Sequence, residues 1–552
     1  MTDTAARFST HTVDNQAPPL APYDLWTSDV ALREAVAREG GGWASSELAA
    51  YGPVAGGELM ELGFAANENK PKLRAFDRYG RRIDEVEFHP SWHRILTLNM
   101  QHAVHSFGWR NEGRAGAHVA RAGLSYMAGQ SDAGNGCPLT MTYAAVPALR
   151  HAPEIAREWL PRITSTQYDP RSLPAEQKTG CMVGMGMTEK QGGSDVRANT
   201  TRATPRADGL YEIVGHKWFF SAPMCDAHLV LAYVEQGLTC FLVPRILPDG
   251  SHNAVRIQRL KDKLGDWSNA SSEVEFHGAL AQRVGPEGRG VATILEMVAL
   301  TRLDCMIGSS ALMRQALAQA VHHARHRKAF GKLLVQQPLM QNVLADLALE
   351  SEAAMALTLR VARAVDASRR DEQQAAFSRI ATAIGKYWVC KRTPAMVNEA
   401  QECLGGAGYV EESILPRLYR QAPLNSIWEG SGNIQCLDVL RALSREPATR
   451  EALFAELLAA RGGHPALDRE IVSLQAQLTD IATLETRSRF VVERIALALQ
   501  AALLLRAGNA DVANAFCNSR LDGAHGYAFG TLRADVPFTT LVERSLQGLS
   551  PF

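Results

Sequence analysis

Residues 186–198 read GMTEKQGGSDVRA. The run concentrates Met187, Thr188, the pair Gly192–Gly193, Ser194 and Asp195 in one short loop. Each type suits a loop that faces a bound ring system. Met187 and Thr188 offer backbone and hydroxyl groups, and the glycines let the main chain come close. Ser194 reaches a phosphate, while Asp195 ties the turn down by accepting from nearby N–H groups. The plain alternative is a polar turn between two strands, and so full a pattern favours the binding reading.

Around this loop the texture is β-rich. MVGMGMTE, YEIVGHKWFF, AHLVLAYV, LTCFLVPR and EVEFHG are short runs separated by Gly, Pro and Asp, as in a compact barrel or sandwich. From about residue 26 to 160, apolar groups recur at helical spacing in LREAVAREG and SWHRILTLNMQHAVHS. After Gly290 the chain turns helical again, in two long amphipathic stretches able to pair as a bundle. The expected class is α+β and multidomain. An N-terminal helical domain spans 1–180, a β-barrel domain 181–288, a C-terminal helical bundle 289–444 and a helical extension 445–552.

The 58 basic and 58 acidic residues of the 552 cancel, so no global charge advertises nucleic acid or membrane. No apolar run is long enough to span a bilayer. The start is acidic and lacks an apolar stretch, which argues against a secretory signal, and its Pro-rich part is expected to be a late-docking or mobile tail. Nine cysteines at irregular spacing, with no CxxC pair, predict reduced, packed thiols in a cytoplasmic protein and no structural zinc.

Three further segments carry chemistry. GHKWFFSAP, 215–223, presents aromatic rings for stacking. RHRKAFGK, 325–332, sets Arg327 and Phe330 among other basic groups at a helix end. ECLGGAGY, 402–409, is followed by SIWEGSGN, 426–433, in which Glu429 precedes a predicted helix. Taken alone, Glu429 suits a helix N-terminus and the rings suit a core.

Together the four segments resemble the acyl-CoA dehydrogenase family, and the first matches its flavin-loop signature position for position. The layout of the chain is similar to that family's as well. The resemblance implies bound FAD, held by Met185, Met187, Thr188, Gly193 and Ser194 of the first segment and by Phe219, Phe220 and Ser221 of the second. Phe219 fills the slot of a family Trp, and Ser221 that of a Thr near flavin N5. Arg327 and Phe330 are implied to meet the cofactor of a neighbouring subunit, and Gly405 and Gly406 to approach its diphosphate. Ile427, Trp428, Ser431 and Asn433 are implied to line the flavin, with Glu429 as catalytic base. That chemistry needs a carboxylate: the base takes a weakly acidic α-proton while a hydride leaves the β-carbon, and a desolvated Glu is a stronger base than one in water. Bulky Trp428 beside the base predicts room for only a short or branched acyl group, or for none.

Within the family the chain is most similar to the AidB-like branch of the bacterial response to alkylating agents. That implies a homotetramer, weak isovaleryl-CoA-type dehydrogenation and double-stranded DNA binding in protection against alkylation. A fully active dehydrogenase or an acyl-CoA oxidase without a DNA role is the alternative. Residues 441–552 hold a dozen Arg, no Lys and a dozen acids, so the extension is not basic overall. Arg487, Arg489, Arg494, Arg520 and Arg533 are its candidate phosphate contacts.

Overall fold

The structure is a computed structural model that describes residues 8–480 and 482–547. Residues 1–7, the start of the expected tail, lie outside it. A hairpin of β1 (Lys72–Phe76) and β2 (Arg82–Glu87) leans on the β domain from the N-terminal helices. The β domain follows as β3 (Val183–Gly186), β4 (Arg202–Pro205), β5 (Tyr211–Ser221), β6 (Ala227–Val234), β7 (Gly237–Pro244), β8 (Val255–Leu260) and β9 (Ser271–Val284). Pairing runs β6–β4–β5–β9–β7 and returns from β7 to β6, so the sheet closes on itself. Alternate residues of these strands fill its inside, including Ile213, Val230, Phe241, Val274 and Phe276.

The helices share a separate, larger core. In the N-terminal part, α1 (Ala117–Ser131) and α2 (Ala133–Leu149) are buried along most of their length, and Asp132 caps α2 by accepting from Asn135 N at 2.9 Å. The bundle consists of α3 (Gly290–His326), α4 (Pro338–Ala367) and α5 (Glu372–Glu402). Cys390 donates to the Cys305 carbonyl, which sets the middles of α3 and α5 level with each other. Then come α6 (Gly432–Arg445) and, in the extension, α7 (Ser488–Ala507), which packs on α4, α5 and α6.

The Pro-rich N-terminal segment docks rather than hanging free. Leu20 and Tyr23 are buried, Tyr23 donates to Gln315 Oε1 at 2.6 Å, and His322 meets the Pro18 carbonyl at 2.8 Å. Of the two expectations, a late-docking or a mobile tail, the docked one fits these two apolar anchors. All nine cysteines are free and buried. Among the described residues no helix is long and apolar enough to cross a membrane, and no group of side chains is arranged to hold a metal.

Candidate functional site

Glu429 sits in a half-buried turn whose backbone is strained, with φ +57°. A non-glycine residue there costs about 1–3 kcal/mol and persists only where its surroundings over-determine it. Three side chains do so. Lys386 of α5 donates to the Trp428 carbonyl at 2.6 Å and also to that of Gly430. Arg302 of α3 donates to the Glu429 carbonyl at 3.1 Å, and Gln435 reaches the same oxygen at 3.0 Å. Asp438 of α6 holds Arg302 at 2.8 Å in turn.

The carboxylate accepts from the Thr301 hydroxyl at 2.6 Å. Burial raises its pKa above the ordinary carboxylate range, and Thr301, Lys386 and Arg302 pull it partly back. The result is a base stronger than Glu in water whose position is fixed. Sequence reading missed Thr301, Arg302, Lys386 and Gln435. The one available signal was Lys386 itself, a lone cation in the apolar run AIGKYWVC.

The flavin-loop segment reaches this place through β5. Trp218 N donates to the Thr188 carbonyl at 2.8 Å, and three residues on, Ser221 lies beside the buried Cys137 thiol, which also senses Glu429. Three strand residues span about 10 Å, so β5 carries the loop toward the neighbourhood of Cys137 and Glu429. Gly193 is required at the loop's neck, where a Cβ would come within 2.3 Å of Thr188 Oγ1. A buried pair braces the loop from below. Glu189 takes Lys217 Nζ at 2.8 Å, Thr200 N at 2.7 Å and Gln191 Nε2 at 2.8 Å. Burial alone would raise the Glu189 pKa; Lys217 and the hydrogen bonds hold it down to about 2. Neither Glu189 nor Lys217 was singled out from sequence, because a motif Glu reads as exposed until its partner is placed.

The residues implied to line a flavin divide in two. Phe219 is 52% exposed and offers a ring face, with Lys261 Nζ 4.6 Å from its centroid. The side chains of Thr188, Ser194, Ser431 and Asn433 are left without a hydrogen bond among the described residues, and Ser431 opens α6 without capping it. Ile427 and Met187 are not fully buried. Phe220 and Met185 turn away. Phe220 is 2% exposed inside the barrel, stacked on His228 with centroids 3.8 Å apart, and Met185 packs in the helical core. For Phe220 alternation along β5 forces this, since it faces the opposite side from its neighbour Phe219. Trp428 is half-buried and donates from its indole to Asn425 at 2.9 Å.

Arg327, Phe330, Gly405 and Gly406 stand elsewhere. Arg327 follows Thr301 by 26 residues of α3, about 39 Å along the axis. Gly405 lies past the end of α5, 19 residues beyond Lys386, so these residues sit toward the same end of the bundle. Phe330 is 99% exposed there, and a Cβ on Gly405 (φ +59°) or Gly406 would meet nothing within 4 Å. Arg327 donates to the Asn15 carbonyl at 2.5 Å.

Residues 15–170 match the Adaptive response protein AidB N-terminal domain, 184–279 the acyl-CoA dehydrogenase middle domain and 288–444 the acyl-CoA dehydrogenase C-terminal domain. AidB of Escherichia coli (strain K12) is 48% identical over 94% of this chain and 96% of its own length. The chain belongs to the acyl-CoA dehydrogenase family, in its AidB branch. A crystal structure of Caenorhabditis elegans ACDH-11 in complex with C11-CoA superposes with a TM-score of 0.85 at 26% identity, over 94% of this chain and 95% of that one. The acyl-CoA dehydrogenase family member 11 of the same organism is 30% identical, over 72% of this chain and 67% of its own. The AidB-branch chain has the acyl-CoA dehydrogenase fold and is an FAD-dependent oxidoreductase by membership, since the family uses FAD.

Four of the five suspected extension arginines are already paired. Arg487 contacts Asp480, Arg494 holds Glu470 with both branches, Arg520 is buried between Asp346 and Glu350, and Arg533 meets Asp535. These pairs hold the extension together or fasten it to the bundle. Among the described residues only Arg489 of the five makes no ion pair, and it lies near Tyr387 and Gly432 at the head of α6.

Proposed function

We propose that this AidB-branch protein dehydrogenates short or branched acyl-CoA thioesters at the α,β bond, with Glu429 as base. The observation that carries the reading is a buried carboxylate in a strained turn pinned by three donors, to whose neighbourhood β5 leads from the flavin-loop segment. FAD supplies the two-electron acceptor for the β-hydride. Glu429 removes the α-proton, and Thr301 keeps its carboxylate aimed. The Glu429 backbone N–H is free to donate to the thioester oxygen and stabilise enolate-like charge. Thr188, Ser194, Phe219, Ser431 and Asn433 would hold the flavin, because their groups are exposed or unbonded where it would lie. The complex of ACDH-11 with C11-CoA supports an acyl-CoA as ligand. Butyryl- or isovaleryl-CoA added anaerobically should bleach the yellow protein. Prompt peroxide formation in air would instead favour an oxidase, and no bleaching with any thioester would end the reading.

The remote group of Arg327, Phe330, Gly405 and Gly406 completes a second copy's cofactor site, so the working protein is an oligomer, with a homotetramer as the family expectation. Arg327→Ala should lower FAD retention about ten- to a hundredfold, the value of a charge-assisted bond. Flavin-to-protein ratio after gel filtration reads this, and unchanged retention would remove Arg327 from the cofactor site.

Duplex DNA stands second. What supports it is Arg489 beside exposed Phe490, a guanidinium and a ring suited to phosphate and base. Any duplex affinity should fall with salt, and Arg489→Ala should weaken it alike across sequences. Full affinity in that variant would place DNA off this part of the extension.

A further inference from the structure

A cationic seam joins the N-terminal hairpin to the barrel. A cavity of ≈ 20 Å³ lies in it, walled by β2 of the hairpin and, from the barrel, by Phe220, Arg245 and β8. Its lining sets three guanidiniums, of Arg82, Arg245 and Arg256, against one carboxylate, of Asp84. That carboxylate is fully engaged. Arg82 Nε donates to Asp84 Oδ2 at 2.8 Å, Arg256 Nη1 stands 3.6 Å from the same oxygen, and Ile257 N donates to Oδ1 at 3.0 Å. Arg245 is without such a partner. Its Nη2 donates to Ser172 Oγ at 3.1 Å, while Nε and Nη1 are buried with no hydrogen-bond partner among the described residues. Arg245 N donates to the Asp226 carbonyl at 2.8 Å, but the carboxylate of Asp226 is spent too. Lys178 holds one of its oxygens at 2.5 Å and Met182 N the other at 2.8 Å. Burying guanidinium N–H groups without an acceptor costs free energy, and a charged acceptor offsets most of it.

We propose that this cavity is a binding site for one small anion, a halide, held between Arg245 of the barrel and Arg82 of the hairpin. Its size admits an occupant about as large as a water molecule and excludes a phosphate or a carboxylate group. Water in the same place would satisfy hydrogen bonds but leave the surplus positive charge uncompensated, whereas a halide accepts from several N–H groups and neutralises part of it. The position gives the ion a structural task. It fastens the hairpin to the barrel wall behind Phe220, and the neighbours Phe219 and Ser221 belong to the segment read as flavin-binding. The footing of that segment therefore firms as halide concentration rises.

The test uses the full-length flavoprotein. Crystals soaked in tens of millimolar sodium bromide should show an anomalous peak in contact with Arg245 and Arg82. In solution, chloride replaces gluconate at constant ionic strength, which separates binding from screening. Chloride in tenfold excess over its dissociation constant should slow amide exchange in the β1–β2 hairpin about tenfold. Arg245→Met should lose both the peak and the slowing. No bromide at this cavity, or bromide there only at molar concentration, overturns the site. So does a chloride effect that survives in the folded Arg245→Met protein. Should that variant fail to fold, the wild-type bromide map and the chloride-for-gluconate comparison decide the matter. None of these measurements involves a thioester, so the anion site and the dehydrogenase reading stand or fall separately.

Discussion

Glu429→Gln should slow anaerobic flavin bleaching by butyryl- or isovaleryl-CoA by ~10²–10⁴-fold, the usual worth of a general base. The amide keeps the size of the side chain and still accepts from Thr301, so the pocket and the bound flavin should be undisturbed. Only proton removal is lost. In the wild type the rate should rise with pH through a pKa above the ordinary carboxylate range, because burial penalises the ionised form. The variant should show no such rise. Stability moves the other way. A carboxyl whose folded pKa is raised contributes stability below its unfolded pKa and loses it as pH rises through the folded value. Glu429 is thus a burden on the fold where it works as a base, and the Gln variant should melt no lower than wild type at alkaline pH. A variant that bleaches at the wild-type rate would show that another group takes the proton.

The second large effect is expected in the brace under the flavin loop. Glu189→Gln leaves Lys217 buried without its charge partner, and breaking a buried pair this way costs about 3–5 kcal/mol. In a chain of several domains that loss shows locally. The loop of residues 186–200 should become protease-sensitive and release flavin at lower temperature, while the bundle melts as before. Replacing both partners by Met should be milder than either single change. Because the Glu189 pKa is held down to about 2, its contribution is present above the unfolded value and lost as pH falls toward about 2. Flavin release on acidification should therefore begin at higher pH in the Glu189→Gln protein. Equal heat and acid sensitivity in the two proteins would mean that the pair carries no part of the loop's stability.

Local pattern explains what could be read in advance. The strands announced themselves as short β-rich runs separated by Gly, Pro and Asp, and Phe219 through the resemblance of its segment. Alternation sends Phe220 inward, a consequence that resemblance to a flavin-binding segment overrode. The extension arginines misled for a different reason. A sequence shows that a guanidinium exists, but its carboxylate partner stands up to 174 positions away, as Asp346 does from Arg520. The buried Arg121–Asp304 pair was invisible likewise: its partners lie 183 positions apart and look like ordinary surface charges until two helices bring them together.

By itself the sequence determined the order of helical, β-rich and helical segments and a loop chemistry suited to a flavin. These follow from short-range periodicity and from residue types that chemistry demands at fixed spacing. Tertiary structure alone decided which groups hold Glu429 in its strained turn, that Arg327 and Phe330 stand a bundle's length from it, and that Arg121 and Asp304 meet as a buried pair. Each of those depends on side chains from different helices meeting where water is excluded, and burial, not composition, sets what a charge there does.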